Sequence, residues 1–221
     1  FFERQRYNKI STYQTAGDDS FLLPVDFFIP PGRFNFLSPD LFTSKFNPLE
    51  EMNKTDNQAL VIFGASGDLT YRKLIPAVFD LFMNQSLPEG YVVLGISRSP
   101  FTDKQFRKKM KEGILHFAHY RNAEMEQVDI FLSRLYYLSI DTGKGEEYKE
   151  VKEKLNMLNR QYNLRHNYIF YLSTPPTLYT IIPKYLYGQG LTLQQKGFRR
   201  IIIEKPFGHD LASAINLNDE L

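Results

Sequence analysis

A chain of 221 residues suffices for one sizeable α/β core, and two complete domains would be a squeeze. Its 27 basic and 25 acidic side chains leave a formal charge of +2, which excludes a global field drawing it to nucleic acid or an anionic membrane; any anion selectivity must be local. With no cysteine there is no disulfide, thiolate nucleophile or sulfur-ligated zinc, so redox chemistry would need a borrowed cofactor.

Residues 1–51 are dense in Phe and Tyr, broken by Pro24, Pro30, Pro31, Pro39 and Pro48, and lack sustained helical or strand periodicity. They read as an atypical aromatic and proline-rich extension: a loose arm laid on the domain, a processed leader, or a start extended beyond Met52. From residue 59 the chain becomes regular. Residues 59–63 read as a buried strand, 69–82 as a helix and 91–95 as a second strand after the Pro88-Glu89-Gly90 turn, which together make a βαβ unit. Thr102 opens TDKQF, a helix cap, and a long helical region follows to about Leu132 with Phe106, Met110 and Leu115 at apolar spacing. Strands at 136–140, 167–172 and 200–204 alternate with helices at 147–162 and 177–187. Such alternation predicts a Rossmann-like α/β fold: an open, mainly parallel sheet with helices on both faces. Another helix is expected around Ser213, Ala214 and Ile215, and because the sequence stops at Leu221 within it, residues 52–221 read as an incomplete domain.

The chemistry concentrates at strand ends. In ALVIFGASGDLTYRKL, Gly64 can take a backbone conformation closed to other residues, and Gly67 lets the chain run close under a pyrophosphate at a helix N-terminus. The pattern is GxxG and not GxGxxG, so a turn that needs glycine for geometry alone is an open alternative. Asp68 reads as a helix cap or a partner of neighbouring backbone. The second strand ends in Ser97, Arg98 and Ser99, with no acid for a ribose 2′-hydroxyl but a permanent cation for a 2′-phosphate. That favours NADP over NAD; the alternative is an ordinary solvent-facing arginine. In YLSTPPTLY, Pro175 and Pro176 stiffen the carboxyl edge, where open parallel sheets bind ligands and where hydride transfer needs one ring face held. Lys205 follows an apolar strand in IIIEKPFG, placed to bind an acidic substrate or align a hydroxyl, unless it pairs with Glu204 at the edge.

GASGDLTYRKL, YLSTPPTLY and RIIIEKPFGHDLASA, in this order and spacing, resemble the coenzyme-binding half of the glucose-6-phosphate dehydrogenase family over residues 58–221. The resemblance implies a Rossmann-like domain followed by a larger α+β domain, through which oligomers largely form. It also implies cytoplasmic oxidation of glucose 6-phosphate by NADP to 6-phosphoglucono-1,5-lactone, without a metal, at the entry to the pentose phosphate pathway. Gly64, Ala65, Ser66, Gly67, Asp68 and Leu69 fall on the family's coenzyme fingerprint, Lys73 on its lysine after the turn, and Arg98 on the residue meeting the 2′-phosphate. Ser173, Pro175 and Tyr179 match positions lining the coenzyme, Lys205 the lysine touching coenzyme and sugar, and Pro206 a proline that moves on binding. The family's catalytic histidine belongs to an RIDHYLGKE-like motif expected beyond Leu221, and His209 does not match it. His116 and His119 are spaced i, i+3 on one expected helix face without an evident third metal ligand. A catalytically silent NADP-binding fragment, or an interaction module using the aromatic arm, is the rival expectation.

Overall fold

The computed structural model describes residues 55–205 and Ile215, which is helical. The expectations for the 1–51 extension, Pro206, His209 and the rest of the final helix lie outside those residues. Among the described residues, five strands form one parallel sheet: β1 (Gln58–Phe63), β2 (Tyr91–Ser97), β3 (Leu135–Ser139), β4 (Tyr168–Leu172) and β5 (Arg199–Ile203), in the order β3-β2-β1-β4-β5. The chain builds outward from β1 through β2 to β3, then returns to the other side of β1. β1 and β4 therefore diverge in their connections at adjacent carboxyl ends, which opens a crevice there.

Among residues 55–205, five α-helices cover the two faces: α1 (Ile75–Met83), α2 (Asp103–Phe117), α3 (Met125–Ser133), α4 (Tyr148–Tyr162) and α5 (Ile181–Gly188). Successive strand side chains point to opposite faces, so β1 sends Val61 and Phe63 to one apolar layer and Ile62 to the other. Val61 and Phe63 pack with Leu155 and Ile182 from α4 and α5; Ile62 packs with Phe79, Phe106 and Phe131 from α1, α2 and α3. A strand covered on both sides has no polar face, which is why β2 is buried along its whole length. At the outer edge, the Tyr136 hydroxyl of β3 hydrogen-bonds that of Tyr162 on α4. No helix among the described residues is long and apolar enough to cross a membrane.

The Thr102 cap forms as expected: Thr102 Oγ1 accepts from the Gln105 amide at 3.2 Å while Gln105 Oε1 accepts from the Thr102 amide at 2.9 Å. The long helix expected after it is two helices. α2 ends at Phe117 because the Asp80 carboxylate on α1 accepts the His119 and Tyr120 amides at 3.0 and 3.1 Å, and Ala118 turns extended. His119 consequently lies past the helix end and shares no helix face with His116, whose Nδ1 sits 2.7 Å from Glu112 O of its own helix. The helix expected over 69–82 is also divided: a π-helical turn, Thr70–Leu74, precedes α1. Pro76 has no amide, and its ring crowds the carbonyl four residues back; the wider turn, with Ile75 N–H bonded to Thr70 O, accommodates it. The helix expected over 177–187 is a 3-10 turn, Pro176–Leu178, followed by α5.

Candidate functional site

The crevice begins where β1 ends. Gly64 has φ of +81°, and a Cβ there would lie 1.9 Å from Ser173 O, so glycine is required both for conformation and for the closeness of β4. The Gly64 and Ala65 amides donate to Ile96 O at 2.8 and 3.1 Å, and the Gly67 amide to Gly64 O at 2.9 Å. An anion above the turn therefore meets Ser66 and the opening amides of the following helix instead of the glycine amides. Ala65 is fully buried beneath the turn, against Gly95 of β2, where an added Cβ would come within 2.8 Å of both the Ala65 methyl and the Phe106 ring.

Beside this turn, the end of β2 supplies hydroxyls and a cation. Ser66 Oγ accepts from Ser97 Oγ at 2.9 Å and Ser99 Oγ at 3.0 Å; Ser97 Oγ is 2.6 Å from the Tyr137 hydroxyl, which donates to Ser99 O at 2.8 Å. Burial raises the Tyr137 pKa, so the phenol stays a protonated donor. Arg98 is exposed on the cleft wall and has no acidic partner among the described residues. From α2, Lys109 Nζ donates to Ser66 O at 2.6 Å, 5.9 Å from the Tyr71 ring centroid and 5.7 Å from that of Phe101. On the opposite wall the Ser173 amide donates to Phe63 O at 3.0 Å, and Thr174 Oγ1 is buried without a protein partner. An orphaned hydroxyl, the amides that open the helix and a guanidinium unpaired among the described residues are donors suited to a phosphorylated, hydroxyl-rich ligand, and the glycine turn leaves room for its approach.

Gly64, Ser66, Gly67, Arg98, Ser173 and Pro175 thus line one cleft of about 540 Å³, with Ser97, Ser99, Thr142 and Thr174. The remaining expected contacts sit elsewhere. The Ala65 side chain faces the core, so only its backbone belongs to the turn. Asp68 makes no capping bond; its carboxylate lies 3.8 Å from Arg72, an exposed pair worth little. Leu69 is partly buried in the first helical turn, and Lys73 is exposed outside the cleft lining. Tyr179 is 2% exposed and does not line the cleft, because its hydroxyl donates to Glu204 O at 3.2 Å. Lys205 is exposed just beyond β5, and the Glu204 carboxylate accepts from the Tyr171 hydroxyl; no Glu204–Lys205 ion pair occurs among the described residues. An isolated glycine inside the apolar YVVLGIS strand was the sequence signal for Gly95. No local pattern marks Lys109 or Tyr137, which lie 43 residues beyond Ser66 and 40 beyond Ser97, the groups they respectively meet.

A family model described as "Glucose-6-phosphate dehydrogenase, NAD binding domain" matches residues 61–221. The chain belongs to the glucose-6-phosphate dehydrogenase family. It is 41% identical over 168 residues to the glucose-6-phosphate 1-dehydrogenase of Aggregatibacter actinomycetemcomitans, covering 76% of this chain and 33% of that protein. It is 38% identical over 162 residues to the Treponema pallidum enzyme, covering 73% and 32%. A solved glucose-6-phosphate dehydrogenase in complex with its substrate glucose-6-phosphate superposes with a TM-score of 0.67 at 30% identity, over 75% of this chain and 34% of that one. The Mycobacterium avium enzyme gives 0.62 at 29%, over 75% and 33%. The chain spans about a third of the length of the family's curated relatives that it matches. The family's Rossmann-like architecture is the fold seen here, and open sheets of this kind bind dinucleotides where the connections switch direction, which in this sheet is between β1 and β4.

Proposed function

We propose that this chain is the coenzyme-binding part of an NADP-dependent glucose-6-phosphate dehydrogenase, oxidising glucose 6-phosphate to 6-phosphoglucono-1,5-lactone. The observation that carries the choice of coenzyme is the end of β2, where Arg98 stands between two serines at the cleft wall, without an acidic partner among the described residues. An acid there would accept ribose hydroxyls, whereas a guanidinium between hydroxyls suits a dianionic 2′-phosphate. Family membership supports the reaction.

When bound, NADP would supply the carbon that accepts hydride. The chain's own residues bind and orient. Gly64 and Gly67 keep side chains out of the pyrophosphate path, and Ser66 with the amides opening the helix at Asp68 and Leu69 supplies donors. Arg98 and Ser99 hold the 2′-phosphate. Ser173 and Pro175 present a stiff wall to the nicotinamide end, and Lys205 meets the anionic sugar substrate. Lys73 adds positive potential at the helix start, and Tyr179 acts from behind the wall through Glu204. Taking the proton from the sugar C1 hydroxyl falls to the histidine of the RIDHYLGKE-like motif that the resemblance implies, and oligomer formation to the second domain; a cytoplasmic location accompanies this reading.

Calorimetric titration of the 221-residue chain with NADP and with NAD tests the proposal. A preference for NADP that Arg98→Ala abolishes is the expected result, with negligible turnover of glucose 6-phosphate by this chain alone. Equal affinity for both coenzymes in the unsubstituted chain would overturn the assignment of Arg98.

A further inference from the structure

Glu204 and Lys205 are adjacent and opposite in charge where the chain leaves β5 and bends, so strand alternation no longer holds their side chains apart and a weak exposed ion pair between them is open. The sheet register arranges something else. Tyr171 of β4 is aligned with Ile202 of β5, and alternation along the strand carries Glu204 to the same face as Ile202. The Tyr171 hydroxyl is thereby brought to the Glu204 carboxylate and donates to it. Burial raises the Tyr171 pKa, and the hydrogen bond and charge of Glu204 raise it further, so the phenol remains a neutral donor.

The backbone of the same residue is held from the other side. Tyr179, packed into the layer formed with α4 and α5, donates its hydroxyl to Glu204 O at 3.2 Å, whereas Tyr171 packs against the layer of α1, α2 and α3. Two phenols from opposite faces of the sheet thus fix Glu204 at its carboxylate and at its carbonyl. With one carboxylate oxygen of Glu204 engaged by a neutral hydroxyl, no pair with the neighbouring ammonium forms, and Lys205 is left exposed with its charge unpaired among the described residues.

We propose that Tyr171 and Tyr179 are positioning residues that keep Glu204 from pairing with Lys205, so that the Lys205 ammonium stays available to an anionic ligand at the carboxyl edge of the sheet. The inference rests on the reading of that edge as a coenzyme and phosphorylated-sugar site, and it adds the device that prevents self-neutralisation there.

The test uses the 221-residue chain with lysines reductively ¹³C-methylated, the Lys205 resonance assigned by its loss in Lys205→Arg, and NADP as the binding probe. In Tyr171→Phe the released carboxylate pairs with Lys205, raising the midpoint of its titration by about half a pH unit and weakening NADP about threefold. Adding Glu204→Gln to Tyr171→Phe restores both values, because a neutral amide cannot neutralise the ammonium. A purely structural role for Tyr171 predicts no such rescue. Should Tyr171→Phe fail to fold, Glu204→Gln alone decides: a midpoint that falls by half a unit or more would show an existing pair and overturn the proposal. An unchanged midpoint in folded Tyr171→Phe, or no rescue, overturns it equally. A midpoint that shifts and recovers while NADP affinity stays constant supports the positioning device and instead removes Lys205 from the coenzyme site.

Discussion

On the β1–β2 side of the cleft the shape is set by atoms that are missing: Gly64 at φ of +81° under Ser173 O, and Gly95 admitting Ala65 and Phe106. Beside the cleft, at the ends of β4 and β5, it is a charge that is fixed, with Tyr171 and Tyr179 gripping Glu204. The difference teaches where each kind of substitution acts. Adding a methyl to the first side collides with backbone at Gly64 and with packed side chains at Gly95, whereas removing an oxygen from the second leaves the packing and changes where a charge points.

The sharpest way to break the comparison is Gly64→Ala. With a left-handed conformation and a clash on main chain, it should cost about 3 kcal/mol or more in urea unfolding; a loss below about 1 kcal/mol would show that the β1–β2 side yields. Arg98→Ala comes next, expected to weaken NADP about 10- to 100-fold by calorimetry while leaving NAD binding and thermal stability near the parent values. Tyr137→Phe sharpens the contrast, since this is the phenol on the methyl-limited side. It removes the bonds to Ser97 Oγ and Ser99 O and should lower stability by about 1 kcal/mol in the same urea assay, more than the exposed Arg98 replacement does.

The smallest effect is expected at the outer edge, far from the cleft. Burial, then the bond to Tyr162, pushes the Tyr136 pKa up to about 12 from 10.0. A pKa raised by folding means that the native chain keeps its proton where the unfolded chain has lost it. The contribution is therefore complete below pH 10 and is lost as pH rises from about 10 toward 12. Tyrosinate absorbance followed during alkaline titration should show a late step that moves earlier in Tyr162→Phe.

Much of this architecture was legible because it depends on near neighbours in sequence. Unbroken apolar runs such as ALVIF and YVVL report a strand covered on both faces, and Thr102 with Gln105 reports its own cap. Gly64 and Arg98 were legible for the same reason, each lying immediately after the last residue of an apolar strand. The helix break at Ala118 was not, because no glycine or proline marks it; the deciding group is the Asp80 carboxylate, almost forty residues earlier. The π-helical turn required weighing Pro76 against a pattern that otherwise favours an uninterrupted helix. Tyr179 lies in the expected motif but its hydroxyl is committed to Glu204, a partner that only the pairing of β4 with β5 reveals. Lys109 reaches the Ser66 carbonyl by tertiary packing and carries no mark of its own in the charged run FRKKMK.

The three-way meeting of Gly95, Ala65 and Phe106 has an evolutionary corollary. An alanine at position 95 would place its methyl 2.8 Å from both neighbours, so its acceptability depends on which residues occupy positions 65 and 106. The three positions are therefore epistatic: a lineage can gain a side chain at this point of β2 only after shrinking the turn residue or the helix aromatic, and the order of those steps is constrained.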